Sequence, residues 1–270
     1  MTATALEPFP ALCRQWRQFR KLSQLDLALA ADVSQRHVSW LETGRSTPSR
    51  SMIQRLSEAM EVPLRDRNAL FQAAGFVPPY AETDLDEPVM TPVLDAMNHV
   101  LAHHEPLPAI VVDRMWNVRK LNRAADRMLS LTGDPAARSR GLGSGDALNL
   151  ALLSLHPDGL RRHIRNWDAV APSFIRRLRQ ESMATVDPSL KRHLEQLVAL
   201  AGDVAECEPL PGLLPFLPLE LELGGTRLSL FSVISTLGTP QDVTTDELRI
   251  EAFYPSDENT RRFFAEQVVS

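Results

Sequence analysis

Residues 22–45 read LSQLDLALAADVSQRHVSWLETGR. Ser23, followed three positions later by Asp26, is a helix start in which side chain and backbone cap each other. The spacing predicts a helix with Leu25, Ala28 and Leu29 facing inward. Asp32-Val33 is a short turn. Ser34 then caps a second helix, with Val38 and Leu41 as its apolar positions and Gly44 as its end. Working outward, Leu12, Trp16 and Phe19 at helical spacing predict a helix over 11–21. Thr47-Pro48-Ser49 opens another, with Ile53, Leu56 and Met60 facing in, and Pro63 breaks it. A fifth helix is expected over 65–74, stopped by Gly75. The head, residues 1–75, is thus an all-α five-helix unit.

Beyond it, residues 76–92 hold Pro78, Pro79, Pro88 and Pro92 among acidic residues and read as a linker. A helix is expected over 93–103. The period then changes. Pro108 to Asp113 reads as a strand, Asp113-Arg114 as a turn and Trp116 to Leu121 as a second strand. Asn122 starts a helix to Leu131. Residues 132–146 are small and polar. Helices are expected over 146–155, 158–182 and 188–200, then a Pro-rich acidic loop over 203–215. Strands are expected over 217–223, 226–236 and 247–254, the first two joined by a tight Gly224-Gly225 turn. The body, residues 93–270, therefore reads as an α+β domain: an antiparallel sheet with helices on one side and a helical insertion, a PAS-like layout.

Composition narrows the classes. With 270 residues and 44% hydrophobic content the chain can bury a core without staples, which excludes wholesale disorder. Cys13 and Cys207 are the only cysteines and form no CxxC, which fits a reducing cytoplasm. The start MTATALEPFPALCRQW has no basic run before an apolar core, so no signal peptide is expected. Aliphatic runs such as Ala109-Ile110-Val111-Val112 fall far short of the ~20 residues of a membrane span. A soluble, cytoplasmic protein is expected. Residues 1–75 carry ten Lys/Arg against seven Asp/Glu, +3, while residues 76–270 carry nineteen against twenty-seven, -8. Only the head suits a polyanion.

A helix, a tight turn and a second helix with polar residues at its exposed start is the arrangement that enters a DNA major groove. Gln35 and Arg36 stand at that start, where Gln pairs with adenine and Arg with guanine. Ser34 caps the helix, and Ser39 and Trp40 lie one turn on. Gln24 is placed to meet phosphate from a helix N-terminus, and Arg45 and Ser49 from a loop. Trp40 also suits packing within the fold, and Glu42 suits pairing within the domain. The stretch 9–75 resembles the XRE/Cro-type helix-turn-helix family, with its lambda-repressor-like fold, through Ser23-Gln24, Val33-Ser34 and the close Leu41-Glu42-Thr43-Gly44-Arg45 before Pro48-Ser49.

No catalytic constellation stands in the sequence, and no enzymatic activity is expected. Around Ser144 the sequence Gly141-Leu142-Gly143-Ser144-Gly145 puts Leu where a nucleophile elbow needs Gly, and it lacks the GK[ST] end of a phosphate loop. His99 and His103 are spaced i, i+4, but only Glu105 stands near them as a third ligand, so no metal or other cofactor is expected. Trp116, Trp167, Phe174, Phe216, Phe231 and Phe253 give the body aromatics suited to a core or to an apolar cavity.

The runs His104-Glu105-Pro106-Leu107-Pro108-Ala109, Asp113-Arg114-Met115-Trp116-Asn117-Val118 and Leu121-Asn122-Arg123-Ala124-Ala125 resemble the opening of the MmyB-like regulator family. His156-Pro157-Asp158-Gly159-Leu160, Asn166-Trp167, residues 236–243 and residues 247–251 are similar to its later signatures. With the head, the resemblance spans about 9–265. It implies a bacterial transcription regulator that binds double-stranded operator DNA and whose body binds a small apolar, fatty-acid-like ligand. For that ligand the expected lining is Trp116, Trp167, Phe174, Phe231 and Val233, with Arg161 and His163 holding a carboxylate. A homodimer on two half-sites about 34 Å apart is expected, since one helix-turn-helix buries little surface. The alternative is a DNA-binding regulator whose body is a dimerisation or protein-partner module without a small ligand. An enzyme fused to the head and an RNA-binding head are the weaker rivals.

Overall fold

The computed structural model describes residues 7–133, 148–202 and 216–266. The Gly141–Gly145 stretch and the 203–215 loop lie outside the described residues. The chain divides into two units, residues 1–83 with 239–246, and residues 84–238 with 247–270. The first unit thus runs past residue 75 and takes in a segment from near the other end of the chain.

The first unit holds α1 (Phe9–Phe19), α2 (Gln24–Ala30), α3 (Gln35–Glu42), α4 (Arg50–Ala59) and α5 (Leu64–Ala73). The local signals act as read. Ser23 and Asp26 form a reciprocal capping box, and Ser34 and Ser49 cap α3 and α4 from their hydroxyls. Gly44, at φ +72°, takes the left-handed turn after α3 that a side chain would strain. The inward stripe of α2 differs from expectation. Leu27 and Ala28 are buried, whereas Leu25 is 49% and Leu29 73% exposed. Leu25, Leu27 and Leu29 span more than one helix face, and packing against α3 and α4 selects Leu27. The α5 N-terminus begins at Pro63, which offers no capping side chain. Its Leu64 N–H donates instead to Asp246 Oδ2 at 3.0 Å. Residues 76–83 are tied down rather than free: Asn68 exchanges two hydrogen bonds with the Tyr80 backbone. Val243 N–H donates to the Ala81 carbonyl, and the Thr83 N–H and hydroxyl donate to Asp242.

The second unit is built on a five-stranded antiparallel sheet of order β2-β1-β5-β4-β3. Its strands are β1 (Ala109–Val112), β2 (Val118–Leu121), β3 (Leu219–Leu223), β4 (Thr226–Thr236) and β5 (Arg249–Pro255). Gly224 and Gly225, both at positive φ, make the β3–β4 hairpin turn. One face packs against α6 (Thr91–His104) through Met97, Leu101, Val111 and Ile250. The other meets the helical insertion: α7 (Arg123–Ser130), α8 (Leu150–Leu155), α9 (Trp167–Met183) and α10 (Pro188–Leu200). The fold is the expected α+β layout, PAS-like in strand order and insertion.

Three elements depart from expectation. The helix expected over 158–182 is broken into a short 3-10 turn, Leu160–His163, and α9. Between them Ile164 pairs with Leu221, Arg165 N–H donates to the Glu220 carbonyl, and the Asn166 side chain bonds Pro218 and Glu220. These three residues cover the edge of β3, which would otherwise stand unpaired. After β4 a short helix, α11 (Val243–Glu247), precedes β5, and α12 (Glu258–Glu266) follows it. Asp257 starts α12 by accepting from Thr260 N–H, and Phe264 anchors it in the core.

Candidate DNA-reading helix and ligand cavity

In the first unit α3 presents Gln35 and Arg36 to solvent, with Ser39 and Trp40 half-buried one turn on. The Arg36 guanidinium lies 4.4 Å from the centre of the Trp40 ring. That contact holds a long, mobile cation along the helix face. Arg45 and Ser49 are exposed. The Ser34 and Ser49 oxygens accept from the His37 and Met52 N–H groups, and the Ser49 hydroxyl also lies 3.0 Å from that of Ser51. Gln24 is half-buried, and its amide nitrogen donates to Glu42 Oε2 at 2.9 Å.

Glu42 is the hub that positions α3. It is 2% exposed. Arg17 of α1 grips it through Nε at 2.6 Å and Nη2 at 2.9 Å. Arg14 donates to its backbone carbonyl. Burial pushes the Glu42 carboxyl up. Hydrogen bonds from Arg17 and Gln24, with the charges of Arg17 and Arg14, outweigh it and hold the carboxyl below its usual range. The reading helix is therefore locked to α1 and α2 by a charge-assisted network.

In the second unit a cavity of about 290 Å³ lies between the sheet and α9. Trp116, Trp167, Phe174 and Phe231 line it, joined by Leu230 and Phe253. Trp116 and Phe174 meet edge to face, 5.5 Å between centres. Trp116 holds φ +66°, a costly conformation for a bulky residue, while 1% exposed. Two contacts hold it there. Its Nε1 donates to Glu181 Oε2 at 3.0 Å, and the Arg177 guanidinium stacks 4.5 Å from its ring centre.

Three residues expected at the ligand are elsewhere. Arg161 stacks on Trp167 at 4.4 Å and reaches the Leu200 carbonyl, outside the cavity lining. His163 Nδ1 donates to the Glu222 carbonyl at 3.1 Å. Val233 is exposed in a shallow depression beside His99, His103 and Tyr254. The polar residues that do line the cavity are Ser154, Ser173, Arg177, Ser232 and Glu251. Burial raises the Glu251 carboxyl, the charge of Arg177 and a hydrogen bond from Ser232 oppose that, and Glu181 adds to it. A sequence signal for Glu251 exists. In β5, alternation puts Arg249, Glu251 and Phe253 on the face that carries the core, so a carboxylate stands at an inward register position.

His103 Nδ1 donates to the His99 carbonyl, and no group of three or more metal-ligating side chains occurs among the described residues. No helix among them is long and apolar enough to cross a membrane.

No curated protein matches. One solved structure, an RNA-binding light-oxygen-voltage receptor, aligns at 12% identity with a TM-score of 0.26, covering 95% of this chain. The alignment spans 62% of that receptor's length. Residues 14–66 match the helix-turn-helix model, and residues 93–266 match the model of the MmyB-like transcription regulator ligand binding domain. A helix-turn-helix that reads DNA and a cavity-bearing domain of this kind are the parts of a DNA-binding transcription regulator with a ligand-binding domain, and the chain belongs to the MmyB-like transcription regulators.

Proposed function

We propose that the protein regulates transcription as a homodimer on paired operator half-sites, and that its cavity takes a small apolar, fatty-acid-like ligand. The observation that carries this reading is the cavity of about 290 Å³ walled by Trp116, Trp167, Phe174 and Phe253. A concave site lined by aromatic and aliphatic side chains, with a few convergent polar groups, is the usual form of a small-molecule site. Gln35 and Arg36 read bases, and Arg45, Ser34 and Ser49 hold phosphate.

A ligand changes DNA binding only by its difference in affinity for two arrangements of the protein; a tenfold change in operator affinity needs about 1.4 kcal/mol of coupling. The chain offers a covalent route for it. Strands β4 and β5 carry cavity residues Phe231, Ser232, Glu251 and Phe253. Their connection contains Asp242 and Asp246, which hydrogen-bond Thr83 and Leu64.

The test is extraction of small molecules from the denatured purified protein, read by mass spectrometry. It is paired with thermal shift and operator gel shift in the presence of medium-chain fatty acids. A recovered apolar acid, or a shift in melting and in operator affinity, is expected. No extracted molecule and no shift with any chain length overturns the ligand reading. The body then becomes a partner or dimer module, a role for which the exposed Val100, Val233 and Ile234 supply apolar surface.

A further inference from the structure

We propose that Arg177, Glu251 and Ser232 form the polar anchor of the cavity, and that this anchor holds the carboxylate head of an apolar acid together with one shared proton. The inference rests on the cavity being a ligand site and adds the head-group chemistry and its coupling to pH.

The geometry begins with Glu181. Its carboxylate accepts from Trp116 Nε1, from Arg177 Nε at 3.1 Å and from Arg249 Nη1 at 2.6 Å. One carboxylate thus neutralises one of two guanidinium charges and fixes the Arg177 plane against Trp116. Among the described residues no hydrogen bond uses the terminal amino groups of Arg177, and that side chain lines the cavity. Across the cavity wall stands Glu251. Ser232 donates to it, and its cross-strand neighbours on β1 and β4 are the uncharged Ile110 and Ile234. The charged groups that act on it are Arg177 and Glu181 of α9, with Arg249 on its own strand bound to Glu181.

Charge balance then selects the ligand. With Glu251 protonated, the two arginines and Glu181 sum to +1. A ligand carboxylate brings the cluster to zero, taking hydrogen bonds from Arg177 and from the Glu251 acid proton. With Glu251 ionised the cluster is already neutral, and an entering carboxylate adds an uncompensated buried charge. Burial favours the protonated form of Glu251, the form that receives an anion. Two carboxyl groups sharing one proton titrate as a pair, so binding a carboxylate draws a proton onto the site wherever Glu251 is otherwise ionised. The sign follows. Affinity for the acid is highest at low pH. It falls as pH rises through the Glu251 titration, by up to about tenfold per pH unit for one linked proton.

The experiment uses the full chain freed of lipid, with decanoate, decanol and decylamine as probes. Binding is followed by tryptophan fluorescence, since Trp116 and Trp167 line the cavity, from about pH 5 to about pH 9, above the ordinary range of carboxylates. Decanoate affinity that falls with pH, beside decanol affinity that does not, is the expected result. In Glu251→Gln the decanoate profile flattens while decanol still binds. Ser232→Ala is the second, milder variant, expected to move the decanoate profile to higher pH by removing a hydrogen bond to the ionised form. Decanoate and decanol binding alike at every pH overturns the anchor and leaves the cavity reading intact. Decylamine binding more tightly than decanoate, and tighter still as pH rises, overturns it by making Glu251 a counter-ion for a cation. None of the three probes binding overturns the cavity reading itself and the anchor with it.

Discussion

Replacing Arg17 with Met tests the network that holds the reading helix. Arg17 is 13% exposed and Glu42 1% at their side chains, and the pair is joined by two hydrogen bonds. Methionine keeps much of the arginine stem volume but leaves the Glu42 carboxylate buried without its main partner. Removing one member of a buried ion pair costs about 3–5 kcal/mol. Gln24 remains at 2.9 Å and Arg14 at 3.9 Å from the same carboxylate, so the lower end, about 3 kcal/mol, is expected. At about 1.4 kcal/mol per decade this is roughly a hundredfold faster opening. Hydrogen exchange of the buried α1 and α3 amides, Trp16 and Leu41 for example, reads that opening locally, without assuming that the two units unfold together. The paired variant, Arg17→Met with Glu42→Met, removes the stranded charge and is expected to recover much of the loss. Exchange in the single variant within about threefold of the parent would contradict a stranded Glu42 charge. So would a paired variant more labile than the single one. The pH dependence has a fixed sign. Because the Glu42 carboxyl is held low, its contribution is present above its unfolded pKa of about 4.3 and is lost as pH falls through the lower folded value.

Changing Gln35 and Arg36 to Ala is expected to relax sequence preference, by about 1–3 kcal/mol per true base contact, in competition binding against scrambled DNA; unchanged preference would move the reading surface elsewhere. Arg45→Ala is expected to weaken all DNA alike and to reduce the slope of log affinity against log salt by about one; a loss confined to one sequence contradicts its phosphate role. Gly159→Ala drives a methyl into the Leu153 carbonyl and to 3.2 Å from that of His156, so a cost of about 1–3 kcal/mol or more is expected in thermal unfolding, and an unaltered melting temperature would show that the turn gives way. Burial, with the charge of Glu42 against that of Arg17, pushes the Cys13 thiol up to about 12. The Cys13 peptide is therefore expected to resist alkylation near neutral pH in the folded protein and to react in urea; rapid labelling without denaturant would mean that α1 is not closed over it.

The local chemistry was legible along the chain. Ser23 with Asp26, Ser34, Ser49, Gly44 and the Gly224-Gly225 pair each act within four residues of themselves, as Asn122 does in capping α7, and each does in the structure what its spacing implies. The long motifs carried the family, and with it the two-part organisation. What needed the tertiary structure is of another kind. Three alternating leucines in α2 do not say which meets the core, because that depends on where α3 and α4 lie. The break before α9 exists because the unpaired edge of β3 takes its hydrogen bonds from residues 164–166. Arg161 and His163 suit a carboxylate by type, yet backbone carbonyls and Trp167 occupy them, while Arg177 and Glu251 reach the cavity from elements 74 residues apart in the chain. Caps and turns are short-range hydrogen bonds, so neighbouring residues along the chain set them. A cavity and its charge balance are sums over distant side chains, and only the packed fold decided which of them meet.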